Sequence, residues 1–289
     1  MLRALEPGTG SIESEGLGIA WLDWGGDGDP LVLLHPNGFC AGMYHPLALR
    51  LRDAHRVLGI DLRGHGASQL VTDPALLGND AMARDVLAVL DHLGVDRFDL
   101  LGVSLGGGVG IVVAADAGDR VGSLVLAEAI AASPEAREDR YFDFVDGEHP
   151  LAIGARRRRS VWADRATVEA SYGGRPPLDV LDPEVLSAYV RWGFVDRGDG
   201  QVELACDPQT EAGIFGTERP NGPVHSHERL ADLRCRTTVL HGIDTDLPAD
   251  WFATQAEVLG VELQVIDGGH FFLFEDLDRA EALIRSALA

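Results

Sequence analysis

Short apolar runs alternate with longer amphipathic stretches through the first 130 residues of the chain. The stretch 79–95 has apolar residues at helical spacing and ends at Gly94, which favours a helix. The stretch GLGIAWLDWGG (16–26) indicates an opening antiparallel strand or hairpin. Since strand and helix patterns alternate, the sequence predicts βαβ units and a mainly parallel sheet. Four runs have the length and boundaries of buried strands: LVLLH (31–35), RVLGID (56–61), RFDLLGV (97–103) and VGSLVLAE (121–128).

The pattern changes between about residues 130 and 233. This part is rich in Arg and Asp, contains helical stretches such as PEAREDRYFDFV (134–145) and DPEVLSAYVRWGF (182–194), and has few strand-like runs. The alternation then resumes with RTTVLHG, a helix near 249–259, VELQVID and a final helix near 273–288. We therefore expect a core formed by residues 1–129 and 234–289, interrupted by a helical insertion at 130–233.

The charge composition excludes several functions. The formal net charge is −22, from 46 acidic and 24 basic residues, which argues against nucleic acid or an anionic membrane as a partner. Every basic residue is arginine, and the chain has no lysine. Schiff-base chemistry, pyridoxal phosphate anchoring, a P-loop and a Ser-Lys dyad all require the missing amine.

The remaining composition predicts a soluble, cytoplasmic protein. No apolar run reaches the roughly 18 to 20 residues that span a bilayer, and the first residues do not resemble an export signal. The three cysteines, Cys40, Cys206 and Cys235, are too widely separated to predict a metal site or a disulfide framework. We expect a small molecule as the partner, and a homo-oligomer is compatible with the sequence.

The stretch LLGVSLGGG (100–108) contains the strongest candidate for chemistry. Ser104 lies in a G-x-S-x-G motif, with a predicted strand before it and a predicted helix after it. Such a turn lifts the serine hydroxyl above the sheet edge and directs the first helical amides, notably that of Leu105, at a developing oxyanion. The alternatives are a turn that only packs tightly and a phosphate cradle. The missing lysine excludes a Walker loop, and no dinucleotide motif follows the first strand.

These motifs resemble those of the α/β-hydrolase superfamily over residues 16–288. Besides GVSLGG, the similarity includes HPNGF (35–39) after the third strand and DLRGHGAS (61–68) after the fourth. The resemblance implies a mostly parallel, eight-stranded sheet flanked by helices, with a helical cap inserted after the sixth strand. It also implies that Asn37 and Leu105 donate their backbone amides to an oxyanion hole. Pro36 stands where the family usually has glycine.

His270 is the candidate general base. A predicted strand ends just before it, two glycines precede it in VIDGGHFFLFED, and a helix follows. The resemblance places the catalytic histidine at the same position.

Three carboxylates are candidates for the acid that orients His270. In the superfamily this acid follows the seventh strand as G-x-x-D or G-x-x-[ST]-D, and the second pattern fits Gly242 to Asp246. Asp246 is therefore our first assignment and Asp244 the second. Glu128, at the end of the sixth strand, is a further candidate, because some hydrolases of this fold take the acid from there.

The leading interpretation is a serine hydrolase that cleaves an ester of a small, apolar substrate through an acyl-enzyme, without a metal or cofactor. Carbon–carbon bond hydrolases and cofactor-free haloperoxidases of the same fold are alternatives, and so is a non-catalytic binding module. Within the insertion, Arg156 to Arg159 form the one conspicuous run of charge. We expect surface pairs with nearby acids, although an arginine that turned inward could hold a substrate carboxylate.

Overall fold

A central sheet organises the chain in the computed structural model, which describes residues 6–135, 148–216 and 219–289. Within these residues, eight strands form the central sheet and three short strands form a second sheet. The central strands are β1 (Gly8–Ser14), β2 (Leu17–Gly25), β3 (Asp29–Leu34), β4 (His55–Ile60), β5 (Phe98–Val103), β6 (Val121–Ala127), β10 (Arg236–Gly242) and β11 (Leu263–Ile266), and the short strands are β7 (Val161–Trp162), β8 (Phe194–Asp196) and β9 (Val202–Leu204).

The central sheet has the strand order β1-β2-β4-β3-β5-β6-β10-β11. β2 pairs antiparallel with β1 and β4, and the other neighbouring strands are parallel. The predicted eight-stranded, mostly parallel sheet is therefore confirmed. Because parallel strands end at the same edge, the loops that follow β3, β5, β6 and β10 meet there.

The helices connect and flank these strands. The helix predicted near 249–259 spans Ala249–Leu259, whereas the predicted final helix is divided in two. Asp276 separates the two parts, because its backbone is extended and its carboxylate accepts a hydrogen bond from the Arg279 amide (2.9 Å) to begin the second helix. No described helix combines the length and the hydropathy required to cross a membrane. The α-helices are α1 (His45–Leu51), α2 (Asn79–His92), α3 (Leu105–Ala117), α4 (Pro150–Arg156), α5 (Arg165–Tyr172), α6 (Pro183–Trp192), α7 (Pro208–Phe215), α8 (Pro223–Glu228), α9 (Ala249–Leu259), α10 (Phe272–Glu275) and α11 (Leu277–Leu288).

The segment between β6 and β10 contains helices α4–α8 and the small antiparallel sheet β7-β9-β8. Helix α6 confirms the helical reading of DPEVLSAYVRWGF, and Asp182 caps its first turn by accepting from the Glu184 amide (2.8 Å). The small sheet was not predicted, because strands of two or three residues are too short to show an alternating pattern. Residues 136–145 of the predicted helix PEAREDRYFDFV lie outside the described residues.

Alternating strand residues bury two hydrophobic layers, one on each face of the sheet. Leu31 and Leu33 of β3 face a layer that includes α1 and α11, whereas Val32 and Leu34 face the layer formed with α2, α3 and α9. The first layer also takes in buried side chains of the insertion, including Tyr189. The insertion therefore shares a core with the main sheet, on the side of α1 and α11.

Candidate active site

Ser104 lies on a sharp turn between β5 and α3. Its backbone has φ 54° and ψ −117°, a conformation that residues other than glycine rarely adopt. Its side chain is nearly buried. The glycines of the motif make this turn feasible. A Cβ on Gly102 would lie 2.3 Å from the Gly106 carbonyl oxygen, closer than a real contact. Small residues are thus required where the strand meets the first turn of the helix.

His270 reaches Ser104 from the loop between β11 and α10. Its Nε2 atom is 3.0 Å from Ser104 Oγ, within hydrogen-bond distance. The Gly269 amide donates to Glu275 in the following helix (3.1 Å), which holds the loop. The structure therefore brings together the serine and the histidine that the sequence singled out.

Glu128 occupies the position on the far side of His270. It follows β6 directly, has a left-handed backbone (φ 51°) and is completely buried. Its Oε2 atom is 3.0 Å from His270 Nδ1. The amide of Ser104 donates to the Ala127 carbonyl (3.1 Å), so the end of β6 and the serine turn are joined directly. Serine, imidazole and carboxylate form a continuous hydrogen-bonded relay.

This geometry corrects the assignment of Asp246 as the partner of His270. Asp246 and the second candidate, Asp244, are both exposed in the loop after β10. The physical reason lies at Thr245, which stands where the G-x-x-D pattern would have its acid. The Thr245 hydroxyl instead donates to Glu128 Oε2 (2.8 Å). The sequence signal was the missing aspartate at Thr245 combined with an acid directly after the sixth strand.

Four donors surround the Glu128 carboxylate. Oε1 accepts from the Gly242 amide (2.7 Å) and contacts His241 Nδ1 (3.0 Å), while Oε2 is shared by Thr245 Oγ1 and His270 Nδ1. A carboxylate offers about four lone-pair positions, so the group is fully satisfied. With a proton on Nδ1, the His270 ring presents a free lone pair on Nε2 to the serine hydroxyl.

The donors keep Glu128 ionised in spite of its burial. Burial raises its pKa. The hydrogen bond from His270, the positive charge of that ring when it is protonated, the Gly242 amide and the Thr245 hydroxyl together bring the pKa below its usual value. A negative charge is therefore present next to His270 at neutral pH.

The loop after β3 contains the predicted oxyanion residue Asn37. Its side chain donates to the Glu211 carbonyl (3.0 Å) and its Oδ1 lies 3.2 Å from His65 Nε2. Leu105 is the first residue of α3. A Cβ on Gly106, one residue later, would lie 2.2 Å from the Leu34 carbonyl, so the first turn of α3 packs against the end of β3. The two residues predicted to supply amides thus lie on adjoining segments.

Of the four consecutive arginines, Arg158 turns inward. It pairs with Glu211 and donates to the hydroxyls of Tyr189 (2.9 Å) and Tyr172 (3.2 Å). The Tyr189 hydroxyl in turn donates to the Gly38 carbonyl of the loop after β3 (3.0 Å). The inward arginine is therefore already neutralised by a carboxylate of the insertion.

In the described part of the chain, side chains that could bind a metal ion do not cluster. Among the described residues, no group of three or more His, Cys, Asp and Glu side chains is arranged to hold a metal ion. The stretch HSH (225–227) contains two histidines, and one of them, His225, lies beside Asp80, with 2.6 Å between Nε2 and Oδ1.

Comparisons with known proteins agree with this architecture. The α/β-hydrolase fold family model matches residues 29–146. A protein of Variovorax paradoxus, provisionally named carbamate hydrolase RutD, is 40% identical over 118 residues, which are 40% of this chain and 44% of that protein. A 2-hydroxymuconate semialdehyde hydrolase of Pseudomonas putida is 27% identical over 91% of this chain and 88% of its own length.

A thermophilic esterase from Thermogutta terrifontis is similar in three dimensions. It has a TM-score of 0.66 and 26% identity, over 96% of this chain and 97% of the esterase. The match to the Variovorax protein is more local, since it spans less than half of that relative's length. The sheet order and the serine turn, together with these similarities, show that the chain has the α/β-hydrolase fold, and its residues 29–146 match that family's model.

Proposed function

We propose that the protein is a serine hydrolase with Ser104 as nucleophile, His270 as general base and Glu128 as the acid that orients the base. The relay of two 3.0 Å contacts, from Ser104 Oγ to His270 Nε2 and from His270 Nδ1 to Glu128 Oε2, carries this proposal. Each partner has the chemistry that its position requires: a hydroxyl, an imidazole and an ionised carboxylate.

In the proposed reaction, Ser104 Oγ attacks a carbonyl carbon while His270 Nε2 takes the hydroxyl proton. The negative charge on the carbonyl oxygen is stabilised by the amides of Asn37 and Leu105, and each such donor contributes about 3 to 4 kcal/mol to transition-state stabilisation. His270 then gives its proton to the leaving group. Water enters, His270 takes its proton, and the acyl-enzyme is hydrolysed. Glu128 stays ionised and balances the imidazolium.

An ester of a small, apolar acid or alcohol is the proposed substrate. An alkoxide leaves more easily than an amine, so an ester places the smallest demand on this relay. Aromatic rings adjoin His270: Phe271 is 5.0 Å from its ring, and Phe39 is 5.4 Å from Phe271. Since Arg158 is paired with Glu211, no net positive charge from this arginine favours an anionic substrate.

We also propose that residues 130–233 act as a cap over the site. Tyr189 of α6 packs on Phe39 with 4.6 Å between ring centres, and the Glu211 carbonyl of α7 holds the Asn37 side chain. These contacts place parts of the insertion against the loop after β3. A cap in this position would exclude water and shape the acyl or leaving-group side of the site.

Cleavage of a carbon–carbon bond is the second candidate. It is favoured by the similarity to the 2-hydroxymuconate semialdehyde hydrolase, which extends over 91% of this chain. The same serine, base and acid would serve, but aryl esters would then be poor substrates.

A panel of p-nitrophenyl esters from acetate to decanoate tests the first candidate against the second. We expect turnover of the short members by the wild type, no turnover by Ser104→Ala, and wild-type rates for Ser286→Ala, which changes an exposed serine on α11. Turnover that survives Ser104→Ala would remove Ser104 as the nucleophile. No turnover of any ester, by an enzyme that forms a covalent phosphonate adduct, would favour carbon–carbon cleavage.

A further inference from the structure

A second imidazole contacts the same carboxylate as His270. His241, near the end of β10, is nearly buried and its Nδ1 is 3.0 Å from Glu128 Oε1. Its ring stacks on Phe252 of α9, with 4.6 Å between ring centres and 24° between planes. The contact with Glu128 and the stacking together fix both the position and the orientation of the ring.

A glutamate requires more support than an aspartate to orient a histidine. Its side chain has one additional rotatable bond, and here it extends from a residue with a left-handed backbone. Rotation of the carboxylate of Glu128 would move Oε2 away from His270. Contacts on Oε1, the oxygen that does not face His270, oppose this rotation, and they come from the Gly242 amide and His241.

We propose that His241 is a positioning residue for the reaction. By donating from Nδ1 to Oε1, it holds the Glu128 carboxylate so that Oε2 meets His270. It also moderates the negative charge that acts on the His270 proton. The inference rests on the proposed function, because it assigns a role to His241 only if His270 acts as the base.

The groups around His241 determine how its replacement changes the pH dependence of kcat/KM. Among the contacts described for it, Glu128 from β6 is the charged partner and Phe252 from α9 is uncharged. The carboxylate bridges His241 to His270. Without the His241 donor, Glu128 would hold the imidazolium form of His270 more strongly.

Two substitutions separate the hydrogen bond from the packing. His241→Phe keeps an aromatic ring against Phe252 but lacks the donor. His241→Asn loses the ring but places an amide nitrogen close to the position of Nδ1, so it can still donate to Oε1. His241→Leu serves as a second variant without a donor if the phenylalanine does not fold, and thermal unfolding is measured for all of them.

The test measures kcat, KM and the pH profile of kcat/KM on the best ester of the panel, per active site titrated with a fluorophosphonate. We expect His241→Phe to lower kcat about tenfold, because a hydrogen bond to a buried charge is lost, with KM changed less than about twofold since no substrate contact is removed. The acid limb of its profile should move to higher pH. His241→Asn should keep kcat within about threefold of the wild type, because it retains the bond.

Two results would overturn the inference while leaving the proposed function intact. In the first, His241→Phe matches the wild type in kcat and pH profile. In the second, His241→Asn loses more activity than His241→Phe and the acid limb of neither variant moves, as expected if the ring only packs against Phe252. A wild type that forms no phosphonate adduct would instead contradict the proposed function, and the role of His241 would fail with it.

Discussion

Replacing Glu128 by glutamine should disable the base without disturbing the packing. The Gly242 amide is an obligate donor to Oε1, so the glutamine must place its carbonyl oxygen there. Its NH2 group then replaces Oε2 and faces His270 Nδ1. To avoid two opposed donors, His270 must move its proton from Nδ1 to Nε2. The ring can then no longer accept the proton of Ser104.

The size of the expected decrease in kcat follows from two losses, the correct orientation of His270 and the negative charge of Glu128. Fixing the wrong tautomer in a serine, histidine and acid relay lowers kcat about a thousandfold to ten-thousandfold. This corresponds to about 4 to 5.5 kcal/mol of transition-state stabilisation. We expect this range for Glu128→Gln, since Oε2 is the atom 3.0 Å from Nδ1 and the substitution preserves the size of the side chain.

The matched control is Asp246→Asn, which removes a charge from an exposed residue in the loop after β10. Single-turnover rates and fluorophosphonate labelling rates are measured for both variants alongside the wild type. Asp246→Asn should retain at least half of the wild-type rate. If Asp246→Asn loses a thousandfold while Glu128→Gln stays within tenfold of the wild type, the reasoning from the geometry is refuted.

Three further predictions concern the support of the site. Tyr189→Phe removes the hydroxyl that donates to the Gly38 carbonyl, and we expect a loss of about 1 to 3 kcal/mol in the free energy of unfolding, measured with urea; an unchanged midpoint would contradict this. Burial lowers the pKa of His65 to about 4 from an ordinary value of 6.5. Between these two pH values, the ring is therefore neutral in the native protein and protonated in the unfolded chain. The free energy of unfolding should therefore fall by up to about 3 kcal/mol as the pH drops from about 6.5 to about 4. In urea titrations, the free energy of unfolding of His65→Gln should depend less on pH than that of the wild type, and the same pH dependence in both proteins would contradict this. Gly102→Ala should prevent the serine turn, because its Cβ would meet the Gly106 carbonyl; normal expression and full phosphonate labelling would contradict that.

The sheet could be predicted because its signals are local. Runs such as LVLLH and VGSLVLAE alternate with helical stretches, and the structure places β3 at Asp29–Leu34 and β6 at Val121–Ala127. β1 was missed, because its sequence GTGSIES has a single large apolar residue, Ile12. It is an edge strand, paired with β2 alone among the described strands. Its formation depends on the partner strand as much as on its own sequence.

The site was partly predictable for a related reason. Ser104 belongs to a motif whose glycines and flanking elements are contiguous in the sequence, and His270 follows a strand and two glycines. The partner of His270 depends on which loops meet at the sheet edge. Glu128 comes within reach because β6 and β10 are neighbours and its amide donates to the Leu240 carbonyl (3.0 Å). The pattern that the resemblance implies after the seventh strand favoured Asp246.

Intact-protein and peptide mass spectrometry after fluorophosphonate treatment tests the central claim most directly. The account predicts one adduct per chain, on the peptide that contains Ser104, formed rapidly by the wild type and at a rate reduced about a thousandfold or more in Glu128→Gln. An adduct on another residue, or labelling of Ser104→Ala at the wild-type rate, would contradict it.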